Sequence, residues 1–337
     1  MKMVDIISIP GWIDLQVNGY DGVNFSDPSL TTSDIEKVST QLLEKGTIGY
    51  CPTLISSSLG AYKHNLTLIS KAMEIQERGA KILGIHLEGP FINPEKGYRG
   101  IHREENILHP SIEIYNQLKT WSQNKIALIT LAPELPGAIE LINYIRKDDK
   151  TIISIGHSNA AKNTIQQAVK KGVQAATHVG NGLPDLIQRH ENPIWVILAN
   201  DDLFGFFITD GFHLPKEVIK TCLRAKRASK FIVTSDLIHI GGKKPGNYII
   251  NDIPVVLEPN GYLHVQDSPQ LAGSASSMME CMNFLASMGE LTLEELIQIG
   301  YDNPLNLLKT TIEQEKINEK PIISFQKNKF IIKSNSV

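Results

Sequence analysis

The sequence predicts an α/β fold, a (β/α)8 barrel of the TIM type. Short apolar runs bounded by Gly, Pro or polar clusters recur along the chain, as buried parallel strands do. Helical stretches alternate with them, and eight strands in roughly 230 residues match a closed barrel. The runs also end on polar, chemistry-bearing residues, and barrel enzymes place their chemistry at the C-terminal ends of strands. Lys81-Ile82-Leu83-Gly84-Ile85-His86-Leu87-Glu88 is the clearest case, stopped by Gly89-Pro90. An open doubly wound sheet is the alternative, but no Gly-rich phosphate fingerprint follows the first strand.

Strand one lies within Ile6–Val17 and closes on Asp14-Leu15-Gln16-Val17-Asn18-Gly19. Ser33-Asp34-Ile35-Glu36 has the form of a capping box opening the first helix, with Gly46 as its stop. Strand two is Thr47–Leu54, and the second helix Ala61–Arg78 stops at Gly79. Strand three is Lys81–Glu88, followed by a long polar loop from Gly89 to about Pro110, a length more often functional than idle. Ile126–Leu131 is strand four and Thr151–Ile155 strand five, leading to Gly156-His157-Ser158, with Asn159 as the next helix cap. Val173–Thr177 is strand six, closing on His178; Phe204–Thr209 is strand seven, followed by Asp210-Gly211-Phe212-His213; Phe231–Thr234 is strand eight, followed by Ser235-Asp236. Residues 244–270 read as an inserted β-hairpin. Ile322–Ile332 reads as a second hairpin turning near Lys327-Asn328, able to pair with Ile6–Ile9.

Bulk composition narrows the function. The 337 residues are 42% hydrophobic and 20% charged, which suits one large globular unit. A net charge of -3 provides no basic field for nucleic acid. No apolar run approaches the ~20 residues of a membrane span, and the start lacks a signal peptide's apolar core. Cys51, Cys222 and Cys281 are far apart and odd in number, so no disulfide framework is expected. A soluble cytoplasmic protein is the expectation.

At the strand ends stand Gln16 and Asn18 (one), Glu88 (three), His157 (five), His178 (six) and Asp236 (eight). Taken singly, each histidine reads as readily as a hydrogen-bonded core residue. A barrel brings the set to one rim, where Glu plus two His is a three-ligand set that leaves a position open for water. Asp236 opposite could shuttle protons. His64, His109, His190, His239 and His264 are expected away from that rim.

Seven short motifs then occur in order: Pro10-Gly11-Trp12-Ile13-Asp14, His86-Leu87-Glu88-Gly89-Pro90, Gly156-His157-Ser158, Thr177-His178, Asp210-Gly211-Phe212-His213, Ser235-Asp236 and Leu271-Ala272-Gly273-Ser274. Together they resemble the N-acetylglucosamine-6-phosphate deacetylase family of the amidohydrolase superfamily, over roughly residues 10–310. The resemblance implies one divalent metal ion per subunit, Zn2+ by preference, on Glu88, His157 and His178, with Asp236 as general acid/base. It implies that His102 polarises the acetamide carbonyl. It places Ile101, Asn181, Gly182, Arg189, Asp210 and His213 at an amino-sugar phosphate substrate, with Leu271, Ala272 and Gly273 along the wall. Arg189 would reach the neighbouring subunit's substrate, implying a homodimer.

The chain departs from the wider pattern in four places. Gln16 and Asn18, as in the one-metal branch of the deacetylases, stand where many amidohydrolases carry the His-x-His that holds a second metal, and both are poor ligands beside imidazole and carboxylate. The loop Gly97–His102 is longer and carries an extra arginine, and Gly180-Asn181-Gly182 replaces Tyr-Asn-Ala. The ends are short for the family's β-sandwich. A barrel over 10–315 with the insertion at about 244–270, and a small β segment from 1–9 and 316–337, is therefore expected. Two rivals stay open: an amidohydrolase of another N-acyl or cyclic amide without phosphate, and a barrel that only binds a sugar phosphate.

Overall fold

The computed structural model describes residues 7–148, 150–314, 317 and 320–333. Eight parallel strands form the barrel: β1 (Trp12–Val17), β2 (Thr47–Ile55), β3 (Ile85–Glu88), β4 (Ile126–Leu131), β5 (Ile152–Ile155), β6 (Ala175–Ala176), β7 (Phe204–Phe207) and β8 (Phe231–Val233). Each pairs in parallel with the next. Helices α1 (Thr32–Glu44), α2 (Leu59–Ile75), α3 (Ile112–Trp121), α4 (Ala138–Asp148), α5 (Lys162–Lys170), α6 (Pro193–Leu198), α7 (Lys216–Lys230) and α8 (Met278–Ser287) follow the strands in turn.

The seam between β8 and β1 is closed by few backbone bonds and one buried acid. Val17 bridges Leu237 in parallel, and Asn18 N–H donates to the Leu237 carbonyl at 2.7 Å. Below them Asp14 of β1 accepts from Thr234 Oγ1 (2.9 Å), Ser235 N–H (3.2 Å) and the Ser235 hydroxyl. Burial pushes the Asp14 carboxyl up, and the bonds from Ser235 and Thr234 pull against that.

Several local expectations move. The capping box sits earlier: Thr31 is the N-cap, accepting from Asp34 N–H while the Asp34 carboxylate takes the Thr31 N–H. Asp34, and not Glu36, therefore stands at the third helical position. Asn159 caps no helix, because α5 starts only at Lys162, with Ala161 at the N-cap position and no side-chain cap; the Asn159 N–H donates to Glu134 Oε1 (2.6 Å). The run Lys81–Glu88 breaks at Leu83-Gly84. Gly84 has φ +144°, and a Cβ there would meet Ala127 Cβ at 2.4 Å, so the break needs glycine.

Residues 244–270 form a three-stranded antiparallel meander, Gly246–Ile250, Ile253–Leu257 and Leu263–Val265, one strand more than a hairpin. Its first turn is Asn251-Asp252, both at positive φ, as a tight two-residue hairpin requires. Ile322–Gln326 and Lys329–Lys333 form a hairpin turning at Lys327-Asn328, and Ile7–Ile9 adds a third antiparallel strand. This sheet packs under the barrel, where the fully buried Trp12 meets Phe330 edge-on at 4.7 Å between ring centres. All three cysteines are free and buried. No helix among the described residues is long and apolar enough to cross a membrane.

Candidate metal centre and active site

The C-terminal ends of the strands bring the predicted residues together. Glu88 ends β3, His157 and His178 follow β5 and β6 by two residues, and Asp236 follows β8. At His157, His178 and Asp236 the backbone enters the left-handed region, with φ of 51°, 30° and 51°. Non-glycine residues adopt that geometry rarely, and mostly where surrounding structure enforces it. Each strand thereby turns sharply and aims its side chain inward.

Three donor atoms converge. His157 Nε2 and His178 Nε2 lie 3.0 and 2.9 Å from Glu88 Oε1, and 3.1 Å from each other. His157 Nδ1 donates to the Tyr98 carbonyl at 2.7 Å, which leaves the Nε2 lone pair facing Glu88 and His178. Two imidazole nitrogens and a carboxylate oxygen at this spacing repel unless a cation or proton lies among them, so the set fits a divalent metal. Gly182 packs against both rings, since a Cβ there would stand 3.0 Å from His157 Nδ1. Burial raises the Glu88 carboxyl; where a proton stands in for the cation between it and His157 and His178, the resulting hydrogen bonds outweigh burial and hold Glu88 well below the usual range.

His102 offers a second possible trio. Its ligand atom, with those of Glu88 and His157, falls within a 4.8 Å group, and His102 Nε2 is 3.9 Å from Glu88 Oε2. Hydrogen bonding decides against it. His102 Nδ1 accepts the Ser56 N–H at 3.2 Å, and a backbone N–H can only donate, so the proton of the neutral ring sits on Nε2. Burial pushes this ring down to about 3. His102 is thus a neutral donor aimed into the site, and Glu88, His157 and His178 remain the set with free electron pairs.

Facing the trio, Asp236 Oδ1 accepts from Gln16 Nε2 (2.9 Å) and Asn18 Nδ2 (2.7 Å); Gln16 Nε2 also donates to Glu88 Oε1 at 2.9 Å. Burial and then the Glu88 carboxylate push Asp236 up to about 8. Beneath lies a hydrogen-bonded polar layer. His86 contacts the Leu15 carbonyl (3.0 Å) and Thr130 Oγ1 (2.8 Å), and Thr130 continues to Thr177 and Ser154. Burial pushes His86 down to about 4, so it stays neutral.

A cleft of about 370 Å³ opens above, lined by Glu88, His102, His157, His178 and Asp236. Ile101, Asn181, Gly182, His213, Leu271 and Gly273 also line it, whereas three other expected substrate contacts do not. Asp210 lies behind His213, accepting from its Nδ1 at 2.7 Å and so turning Nε2 toward the cleft. Ala272 is buried in the wall. Arg189 is exposed on the segment after the cleft, its carbonyl held by Trp195 Nε1 at 2.9 Å.

The structure also adds residues. Asn24, His239, Asn251 and Gln270 line the cleft, so His239 is not remote as expected. It follows β8 by only a few residues, which was the available signal. The Asn251-Asp252 turn hooks the long loop from above: Asn251 Nδ2 donates to the Ile101 carbonyl (3.1 Å), and Asp252 pairs with Arg103 at 2.5 Å. These two contacts flank His102.

No family model matches the chain. Individual proteins do. The N-acetylglucosamine-6-phosphate deacetylase of Bacillus subtilis is 30% identical over 302 residues, covering 89% of this chain and 74% of that protein. Its counterpart in Danio rerio is 30% identical over 315 residues, covering 90% and 75%. The crystal structure of N-acetylglucosamine-6-phosphate deacetylase from Pasteurella multocida matches with a TM-score of 0.82 at 26% identity, over 96% of this chain and 83% of that one. With a Glu-His-His cluster at the rim of a (β/α)8 barrel and relatives of this identity along nine-tenths of its length, the chain belongs to the N-acetylglucosamine-6-phosphate deacetylase family.

Proposed function

We propose that the protein is a metal-dependent hydrolase that removes the acetyl group from an N-acetylated amino sugar 6-phosphate. The observation that carries the reading is the convergence of Glu88 Oε1, His157 Nε2 and His178 Nε2 within 3.1 Å of one another at the bottom of the cleft. They would hold one divalent ion, zinc by the N/O character of the set. Such an ion acidifies water and polarises a carbonyl. The Gln16 amide spans Glu88 and Asp236, where a histidine would be needed for a second ion, which supports a single metal.

The chain's own groups do the rest. His102 donates from Nε2–H to the acetamide oxygen as negative charge develops there. Asp236 takes the proton from the attacking water and returns it to the departing amine, which leaves poorly unless protonated. The Asn181 side chain, the Gly182 backbone and His213 with Asp210 behind it bind the sugar phosphate, and Leu271 and Gly273 shape the wall. Asn181 Nδ2 is buried without a protein partner among the described residues, so a donor is available for an anion.

Arg189 completes the phosphate site of a second copy of the chain in a homodimer. Leu186 and Trp195, 92% and 51% exposed, flank it and supply apolar surface for that contact. The test compares N-acetylglucosamine 6-phosphate with N-acetylglucosamine. Arg189→Ala should raise the Michaelis constant for the phosphorylated sugar roughly ten- to a hundredfold, the value of a charged hydrogen bond, and leave the other almost unchanged. Equal loss on both substrates would reject the phosphate assignment.

A further inference from the structure

We infer that Asn18 and Gln16 are positioning residues for the proton carrier: their amides pin one oxygen of Asp236 and leave the other to hold the proton. The inference rests on the reading of Asp236 given above. Both amides donate to the same atom, Oδ1, Asn18 Nδ2 at 2.7 Å and Gln16 Nε2 at 2.9 Å. Two donors on one carboxylate oxygen draw negative charge to it and stop the group rotating, so Oδ2 presents a fixed lone pair. Gln16 Nε2 also donates to Glu88 Oε1, so one amide nitrogen separates the carboxylate of the metal set from that of the proton carrier.

The surroundings show that this orientation is specific. With carboxylates as neighbours, the nitrogen end of each amide must face Asp236. Gln16 Oε1 and Asn18 Oδ1 are buried and have no protein partner among the described residues. Both amides are thus committed to the carboxylates through nitrogen. The backbone supports the arrangement, since Asn18 N–H and Gly19 N–H both donate to the carbonyl of Leu237, the residue after Asp236. Asn18 and Asp236 are thereby held side by side across the barrel seam.

The test is a double-mutant cycle on the full chain with N-acetylglucosamine 6-phosphate, reading kcat, KM and bound metal. Asn18→Ala should lower kcat roughly ten- to a hundredfold, the worth of a hydrogen bond to a charged group, with KM and metal content unchanged. Asp236→Asn alone should lower kcat by roughly 10²–10⁴. Adding Asn18→Ala to it should cost less than about twofold more, because the residue acts through the group already removed. Asn18→Leu keeps the volume and removes the donor, and serves if the alanine variant fails to fold. Losses that multiply in the double variant, metal loss in Asn18→Ala, or unchanged kcat would overturn the inference while leaving Asp236 its role. Full turnover in Asp236→Asn alone would remove the proton carrier itself.

Discussion

The two ends of the barrel are built from opposite materials. At the lower end Trp12 is fully buried against Phe330, and the terminal sheet closes the core with apolar surface. At the upper end the buried residues are polar: Glu88, His102, His157 and His178 all lie inside, held by hydrogen bonds and, at His157 and His178, by left-handed backbone. The lower end gains free energy from burial, and the upper end spends it on clustering groups that would otherwise be hydrated. Chemistry and stability are therefore separable by position along the same strands.

The strongest way to break that comparison is His178→Ala. It removes a ligand from a site that contributes little to folding, so turnover should vanish and metal content fall to near zero, while the thermal midpoint of the metal-free protein stays close to that of the metal-free parent. Metal analysis and calorimetry on both chains check this. A metal-free variant that unfolds would show that the upper end also carries the core.

Trp12→Ala is the converse change. Truncating a fully buried tryptophan should cost about 3–5 kcal/mol of stability, read as a shifted denaturant midpoint. Folded enzyme should keep its metal and its Michaelis constant. A changed Michaelis constant at full metal loading would mean the two ends communicate through β1, which carries Trp12 at one end and Gln16 near the other.

The smallest effect is expected at the hook over the cleft. Arg103 and Asp252 are 41% and 85% exposed at the side chain, and exposed ion pairs are worth ~0–1 kcal/mol. Asp252→Ala should lower stability by less than about 1 kcal/mol, and added salt should shrink the difference further. A larger loss would show that the outer part of the upper end contributes to stability after all.

The barrel was legible because its strands are short apolar runs between breakers, and Glu88, His157, His178 and Asp236 were legible because they stand at the ends of such runs. What stayed hidden depends on contacts between distant segments. Nothing local marks Ser56 as the residue that sets the tautomer of His102, or the Tyr98 carbonyl as the partner of His157. Asn159 looks like a helix cap, but the helix starts three residues later, after Ala161. Asp210 and His213 lie in one motif, but only the fold shows that the acid stands behind the imidazole.

The left-handed backbone at His157, His178 and Asp236 also limits how this site can change over generations. Positive φ excludes β-branched residues and favours Gly, Asn, Asp and His. In the genetic code the codons of His, Asn and Asp differ only in the first base. Mutation at these three corners can therefore exchange an imidazole for a carboxylate or an amide in a single step without disturbing the turn that presents it. The rim can lose a ligand or its proton carrier while the barrel remains intact, so lineages of this fold can pass between active and inactive forms without passing through unfolded ones.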